Sequence, residues 1–145
     1  MTDKRVLVVD DDDAIRALLV TILRRRAITV DSARHGGEAM ERLKNCRYAL
    51  MLLDLMMPHM NGYELLDEIT NMPQAERPIV IVLTAGSEPR NLSPDIVAGS
   101  VRKPFDIELL CDTITACLTT AAAAEQRKEC PPPGNPRTLP QNEPN

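Results

Sequence analysis

The chain has 145 residues, of which 43% are hydrophobic and 26% charged, and its net charge at pH 7 is −4. A fully globular chain of that length buries roughly 70% of the surface that its unfolded form exposes, so one sizeable core is available. The absence of Trp, the single Phe, the two Tyr and the acidic balance exclude an aromatic stacking platform or a basic footprint for nucleic acid.

Val6-Leu7-Val8-Val9 is a short continuous apolar run, the pattern of a strand buried on both faces. Ile15, Leu18, Leu19, Ile22 and Leu23 then follow helical spacing, and Arg24-Arg25-Arg26 closes that helix with cations that suit its C-terminus. Residues 28–33 read as a strand, and 36–45 as a helix with Ala39, Met40 and Leu43 inward. A second apolar run over 49–53 ends at Asp54, and 63–71 reads as a helix with Leu65, Leu66 and Ile69 inward. The run Ile79-Val80-Ile81-Val82-Leu83 is rich in β-branched residues and predicts a strand, with Pro78 at its start where a missing donor does little harm. Gly86, Pro89 and Pro94 oppose any long helix over 85–95. A strand over 96–102 precedes Lys103-Pro104. Ile107, Leu109, Leu110, Ile114, Cys117 and Leu118 mark a last helix, N-capped by Asp106 and expected to continue through 121–124.

Near residue 125 the composition changes. The stretch Cys130–Asn145 holds six of the twelve prolines, with Leu139 its one large apolar residue. Such a segment buries too little to offset its ordering entropy. The expected organisation is therefore a folded domain over 1–125 and a proline-rich disordered tail over 126–145, with polyproline II geometry at Pro131–Pro133. The four cysteines form no CxxC pair, which predicts free thiols rather than a zinc site or a disulfide framework. No apolar run approaches the roughly 18 residues of a membrane span, and MTDKR lacks a signal-peptide pattern. The expectation is a cytoplasmic protein with no membrane contact.

Strand and helix alternate about five times, which predicts an α/β fold with a doubly wound parallel sheet and helices on both faces. Functional groups of such sheets lie at the carboxyl ends of the strands. Read there, strand one ends in Asp10-Asp11, strand three in Asp54, strand four in Thr84 and strand five in Lys103. Two carboxylates about 4 Å apart repel by roughly 4 kcal/mol at an effective dielectric of 20, so the group calls for a cation. All-oxygen ligands point to a hard ion, and few protein ligands with room for water favour Mg²⁺ over Ca²⁺. A lysine and a hydroxyl beside that cation suit a tetrahedral anion. The constellation reads as a phosphoryl-transfer site in which Asp54, alone at the end of a central strand, is the carboxylate that attacks phosphorus and becomes an acyl phosphate.

Four segments in this order, VLVVDDDDAIRALL, MLLDLMMPHMNGYELL, IVIVLTA and VRKPF, closely resemble the receiver domain of bacterial two-component response regulators over residues 4 to about 122. The resemblance implies a flavodoxin-like five-stranded sheet of order 2-1-3-4-5. It implies that Asp11 binds Mg²⁺ directly, Asp10 mainly through water, and that the backbone carbonyl of Met56 completes the protein ligands with Asp54, the phosphoacceptor. Thr84 matches the hydroxyl that follows the phosphoryl group, Lys103 the lysine that pairs with it, and Pro104 a proline preceded by a cis bond. The function so implied is a signalling switch that takes a phosphoryl group from a sensor histidine kinase or phosphotransfer protein. It then signals through a downstream protein partner and dephosphorylates itself slowly without turning over a metabolite, so it is not an enzyme in the ordinary sense.

Other readings were open to these residues. A haloacid dehalogenase-type phosphatase also uses a strand-end Asp with Mg²⁺ but wants an acid two positions later, where Met56 stands. A pseudo-receiver that only binds a partner would not need the acidic pair, Asp54, Thr84 and Lys103. A flavodoxin-like electron carrier lacks the aromatics to sandwich a flavin. Asp12 and Asp13 read as a helix N-terminus rather than ligands, His35 and His59 as solvent-facing loop residues, Asn61-Gly62 as a turn, and the methionines as packing. Two departures from the family stand out: only nineteen positions separate Thr84 from Lys103, roughly one helical turn short, and Ser100 occupies the place of an aromatic switch residue. The site is thus expected to be intact and the usual output route altered. No further domain pattern follows residue 125, the expectation for a stand-alone receiver or for a tail that leads to one more domain.

Overall fold

The computed structural model describes residues 4–55, 62–84 and 95–120. Their elements run β1 (Val6–Val9), α1 (Asp13–Arg25), β2 (Val30–Ala33), α2 (Gly36–Asn45), β3 (Leu50–Asp54), α3 (Gly62–Thr70), a 3₁₀ turn over Gln74–Glu76, β4 (Ile79–Thr84), β5 (Val97–Arg102) and α4 (Ile107–Thr120). The five strands are parallel and ordered β2-β1-β3-β4-β5. The expected doubly wound α/β fold and its strand order are what the chain adopts.

Alternation along each strand splits the core into two layers. Leu7, Val9, Met51, Leu53, Val80 and Val82 face α2 and α3 and pack with Leu43, Leu65 and Ile69. Val6, Val8, Leu50, Leu52, Ile81 and Leu83 face the other way, onto Leu19 and Leu23 of α1 and Leu110 and Ile114 of α4. This is why the central strands read as unbroken apolar runs: with helices on both faces, both sets of side chains are buried. β5 is an edge strand with alternate residues half-buried and exposed, and a register shift between Val80 and Ile81 sets its pairing with β4.

Several boundaries differ from the expectation for identifiable reasons. β2 begins at Val30 rather than residue 28 because the preceding residues cap α1. Ala27 has φ 64°, and the Ala27 and Ile28 amides donate back to the Arg24 and Leu23 carbonyls. This is a Schellman cap with alanine where glycine is the easier residue. Leu18 and Leu109, expected inward, are 46% and 62% exposed. A stripe one residue too wide on each helix accounts for both, since the buried faces are set by Leu19, Val20 and Leu23 and by Leu110, Cys111, Ile114 and Leu118. Cys111 and Cys117 are free thiols as expected, whereas Cys46 is disulfide-bonded. The readings of 85–94, of residues 121–124 and of the tail also lie outside them. Among the described residues no helix is long and apolar enough to cross a membrane.

Candidate functional site

The β1–α1 turn is built from consecutive acids with different tasks. Asp10 follows β1, its amide donating to the Ala33 carbonyl at 3.2 Å, and its side chain is fully buried. Asp10 Oδ1 accepts from the Asp12 amide at 2.9 Å. Asp12 is the N-cap of α1, accepting from the amides of Ala14 (2.9 Å) and Ile15 (3.1 Å), and Asp13 opens the first turn, where an acid suits the helix dipole. Both are thus committed to the helix, as read from the sequence. Asp11 is left exposed beside Asp10. Arg16 folds back to donate from Nη1 to the Asp10 carbonyl at 2.7 Å and pairs through Nη2 with Asp13.

Asp54 ends β3 on the neighbouring strand, buried and in register with Leu83. The Gly62 amide donates to the Leu55 carbonyl at 3.0 Å. A Cβ at Gly62 would lie 2.6 Å from Leu55 Cα and 3.0 Å from the Asp54 carbonyl oxygen, so only glycine allows α3 to start this close to the Asp54 backbone. Thr84 ends β4, buried, and its carbonyl accepts from the Lys103 amide at 2.8 Å, which sets Lys103 just beyond β5. The Lys103–Pro104 bond is cis. Lys103 Nζ stands 3.5 Å from Asp10 Oδ2 and 3.4 Å from Asp54 Oδ2.

Carboxylate oxygens of Asp10, Asp11 and Asp54 all lie within 4.8 Å of one another. Burial pulls the Lys103 ammonium down, but the facing Asp10 and Asp54 carboxylates outweigh it and hold that group above its ordinary value. One ammonium cannot balance three carboxylates. Asp10 Oδ2 is moreover buried without a hydrogen bond, with Lys103 Nζ 3.5 Å away. An all-oxygen donor set with a spare buried acceptor fits a hard divalent cation.

Of the residues expected at the site, Asp10, Asp11, Asp54 and Lys103 are brought together, and Thr84 ends the adjoining strand. Met56 and His59 lie outside the described residues. His35 is not a simple solvent-facing residue: it is the N-cap of α2, its Nδ1 accepting from the Glu38 amide at 3.2 Å. Glu38 in turn accepts from the Arg34 amide at 2.7 Å, an arrangement close to a capping box with histidine in the serine's place. Two residues of the surroundings, Arg16 and Gly62, were not anticipated. The i, i+3 spacing of Asp13 and Arg16 was a readable signal for their pairing; the inward turn of Arg16 was not.

Residues 6–115 match the family model described as the response regulator receiver domain. The transcriptional regulatory protein SrrA of Staphylococcus aureus is 36% identical over 103 residues, which are 69% of this chain and 42% of that protein, so the chain spans about two-fifths of the length of such curated relatives. Among solved structures, a CheY-like response regulator receiver domain protein from Methanospirillum hungatei superposes with a TM-score of 0.69 at 30% identity, covering 82% of this chain and 94% of that one. The response regulator TrrA from Thermotoga maritima, crystallised in complex with Mg(2+)-BeF, gives a TM-score of 0.69 at 34% identity over 79% of this chain and 98% of that one. With an acidic cluster at the carboxyl end of a 2-1-3-4-5 sheet and a family match over most of its length, this chain belongs to the response regulator receiver domains of two-component systems.

Proposed function

We propose that the chain is a phosphoacceptor switch in which Asp54 takes a phosphoryl group from a sensor histidine kinase or a phosphotransfer protein in the presence of Mg²⁺. The observation that carries this reading is the cluster of Asp10, Asp11 and Asp54 oxygens within 4.8 Å, with Lys103 Nζ within 3.5 Å of both Asp10 and Asp54. Asp54 and Asp11, the Met56 carbonyl, and Asp10 through water would hold the cation. When bound, Mg²⁺ neutralises charge on the transferring group, which is most of what phosphoryl transfer asks of a protein.

In the transfer step an Asp54 carboxylate oxygen forms a bond to phosphorus as the P–N bond of the donor's phosphohistidine breaks, and the imidazole leaves with the bonding pair. Lys103 starts between Asp10 and Asp54 and offers its ammonium to the arriving phosphoryl oxygens, while the Thr84 hydroxyl donates to another. Hydrolysis of the acyl phosphate by water resets the switch. The protein acts on itself and turns over no metabolite. Readout is through contact with a protein partner, without direct binding of nucleic acid or membrane, and the compartment is the cytoplasm.

The test is intact-mass measurement after incubation with a small phosphodonor and Mg²⁺. The wild-type chain should gain the mass of one phosphoryl group, labile to base, and Asp54→Asn should gain none. Labelling that survives Asp54→Asn would refute the assignment.

A further inference from the structure

We infer that Arg16 is a positioning residue for the cation site, holding the Asp10–Asp11 turn in the form that receives the metal; the inference rests on the proposed Mg²⁺ site. The side chain of Arg16 is only 14% exposed although it belongs to a surface helix. Its ion-pair partner Asp13 is 84% exposed, and a pair so open to water contributes little by itself. The partly buried guanidinium also reaches the main chain: Nη1 donates to the Asp10 carbonyl at 2.7 Å. On the same residue, Oδ1 is held by the Asp12 amide at 2.9 Å. Asp10 is thus fixed from both its backbone and its side chain, which leaves Oδ2 buried without a hydrogen bond, 3.5 Å from Lys103 Nζ. Asp11 departs from the same fixed peptide.

The position is informative because charge argues against it. A cation hydrogen-bonded to the backbone of one of the three acids opposes the binding of a second cation there by Coulomb repulsion. Removing Arg16 therefore changes Mg²⁺ affinity in opposite directions under the two accounts: tighter binding if only its field matters, weaker binding if it positions the turn.

Isothermal titration calorimetry of the full chain with MgCl₂ separates them without recourse to phosphorylation. Wild type should bind Mg²⁺, and Arg16→Met should bind about tenfold more weakly, at the lower end of what loss of an outer support does to metal affinity. Arg16→Lys, which keeps one donor able to reach the carbonyl, should recover part of the loss. General damage to packing would not be repaired in this way, and no recovery by lysine would overturn the positioning role. Equal or tighter binding by Arg16→Met would overturn the inference while leaving the site itself standing. Should Arg16→Met fail to fold, Arg16→Gln takes its place with the same two outcomes. No binding by the wild-type chain would overturn the site and the inference together.

Discussion

At the amino-terminal end of the sheet Asp31 is a buried carboxylate with its donors at hand, whereas at the carboxyl-terminal end three carboxylates share one ammonium. Tyr48 donates its phenolic proton to Asp31 Oδ2 at 2.6 Å, and Arg5, also buried, stands 3.2 Å from the same atom. These residues precede β1, lie in β2 and precede β3, so the cluster ties the starts of three adjacent strands together. At the other end Lys103 stands between Asp10 and Asp54 with Asp11 close by, and Asp10 Oδ2 lacks a hydrogen bond. Buried charge is tolerated when it is paired, and a surplus of one sign is a demand for something from solution. The contrast separates two uses of buried charge: matched charge ties strand starts together at one end, and unmatched charge at the other suits the proposed cation.

The largest effect should come from unbalancing the matched end. Arg5→Met leaves Asp31 buried with the tyrosine alone, and removal of one partner from a buried pair destabilises by about 3–5 kcal/mol. Urea unfolding should show a lower midpoint at an unchanged slope, with Mg²⁺ affinity of the folded protein retained. A loss below about 1 kcal/mol would mean the pair is not the structural element that its burial suggests.

Tyr48→Phe should lower stability at neutral pH by about 2 kcal/mol, the usual range for a hydrogen bond to a charged group. Burial, the Asp31 charge and that hydrogen bond push the Tyr48 phenol well above its ordinary value. A raised value in the folded state means that its contribution is complete below the unfolded value, about 10, and is lost as pH rises beyond it. The gap between wild type and Tyr48→Phe should therefore narrow above pH 10. A constant gap up to pH 11 would show that Tyr48 ionises alike in both states.

These two ends were not equally legible in the sequence. The acids at the strand ends could be read because topology alone brings strand termini together, and the β1, β3 and β4 runs marked those termini. The Arg5–Asp31–Tyr48 cluster could not, since its members lie 17 and 26 positions apart in the chain and their meeting depends on strand register. The reach of Arg16 to the Asp10 carbonyl carries no signal in residue spacing, and Gly62 read as part of a turn without its closeness to the Asp54 backbone. Periodicity placed the helices well but not the edges of their buried faces, so Leu18 and Leu109 were turned inward. The His35 cap was hidden because histidine is an uncommon choice at that position and carries no helix-start signal of its own.

The smallest effect sharpens the comparison most, because it has the opposite sign. Asp11→Asn removes a charge from the surplus end, so the metal-free protein should become more stable, not less. At 4.8 Å, the widest separation of these oxygens, one pair of charges repels by roughly 1 kcal/mol in water and roughly 3.5 kcal/mol at an effective dielectric of 20. Asp11 is exposed, which places the gain near the lower limit, about 1 kcal/mol. For a domain of this size that is a rise of about 3 °C in melting temperature without metal. Millimolar Mg²⁺ should then raise the wild-type melting temperature by mass action and leave Asp11→Asn nearly unmoved, so that the order of the two proteins approaches or passes inversion as metal is added. If Mg²⁺ stabilised both equally, the cation would be binding elsewhere. If Asp11→Asn were the less stable protein without metal, the acids would not be in excess, and the distinction between the two ends of the sheet would fail.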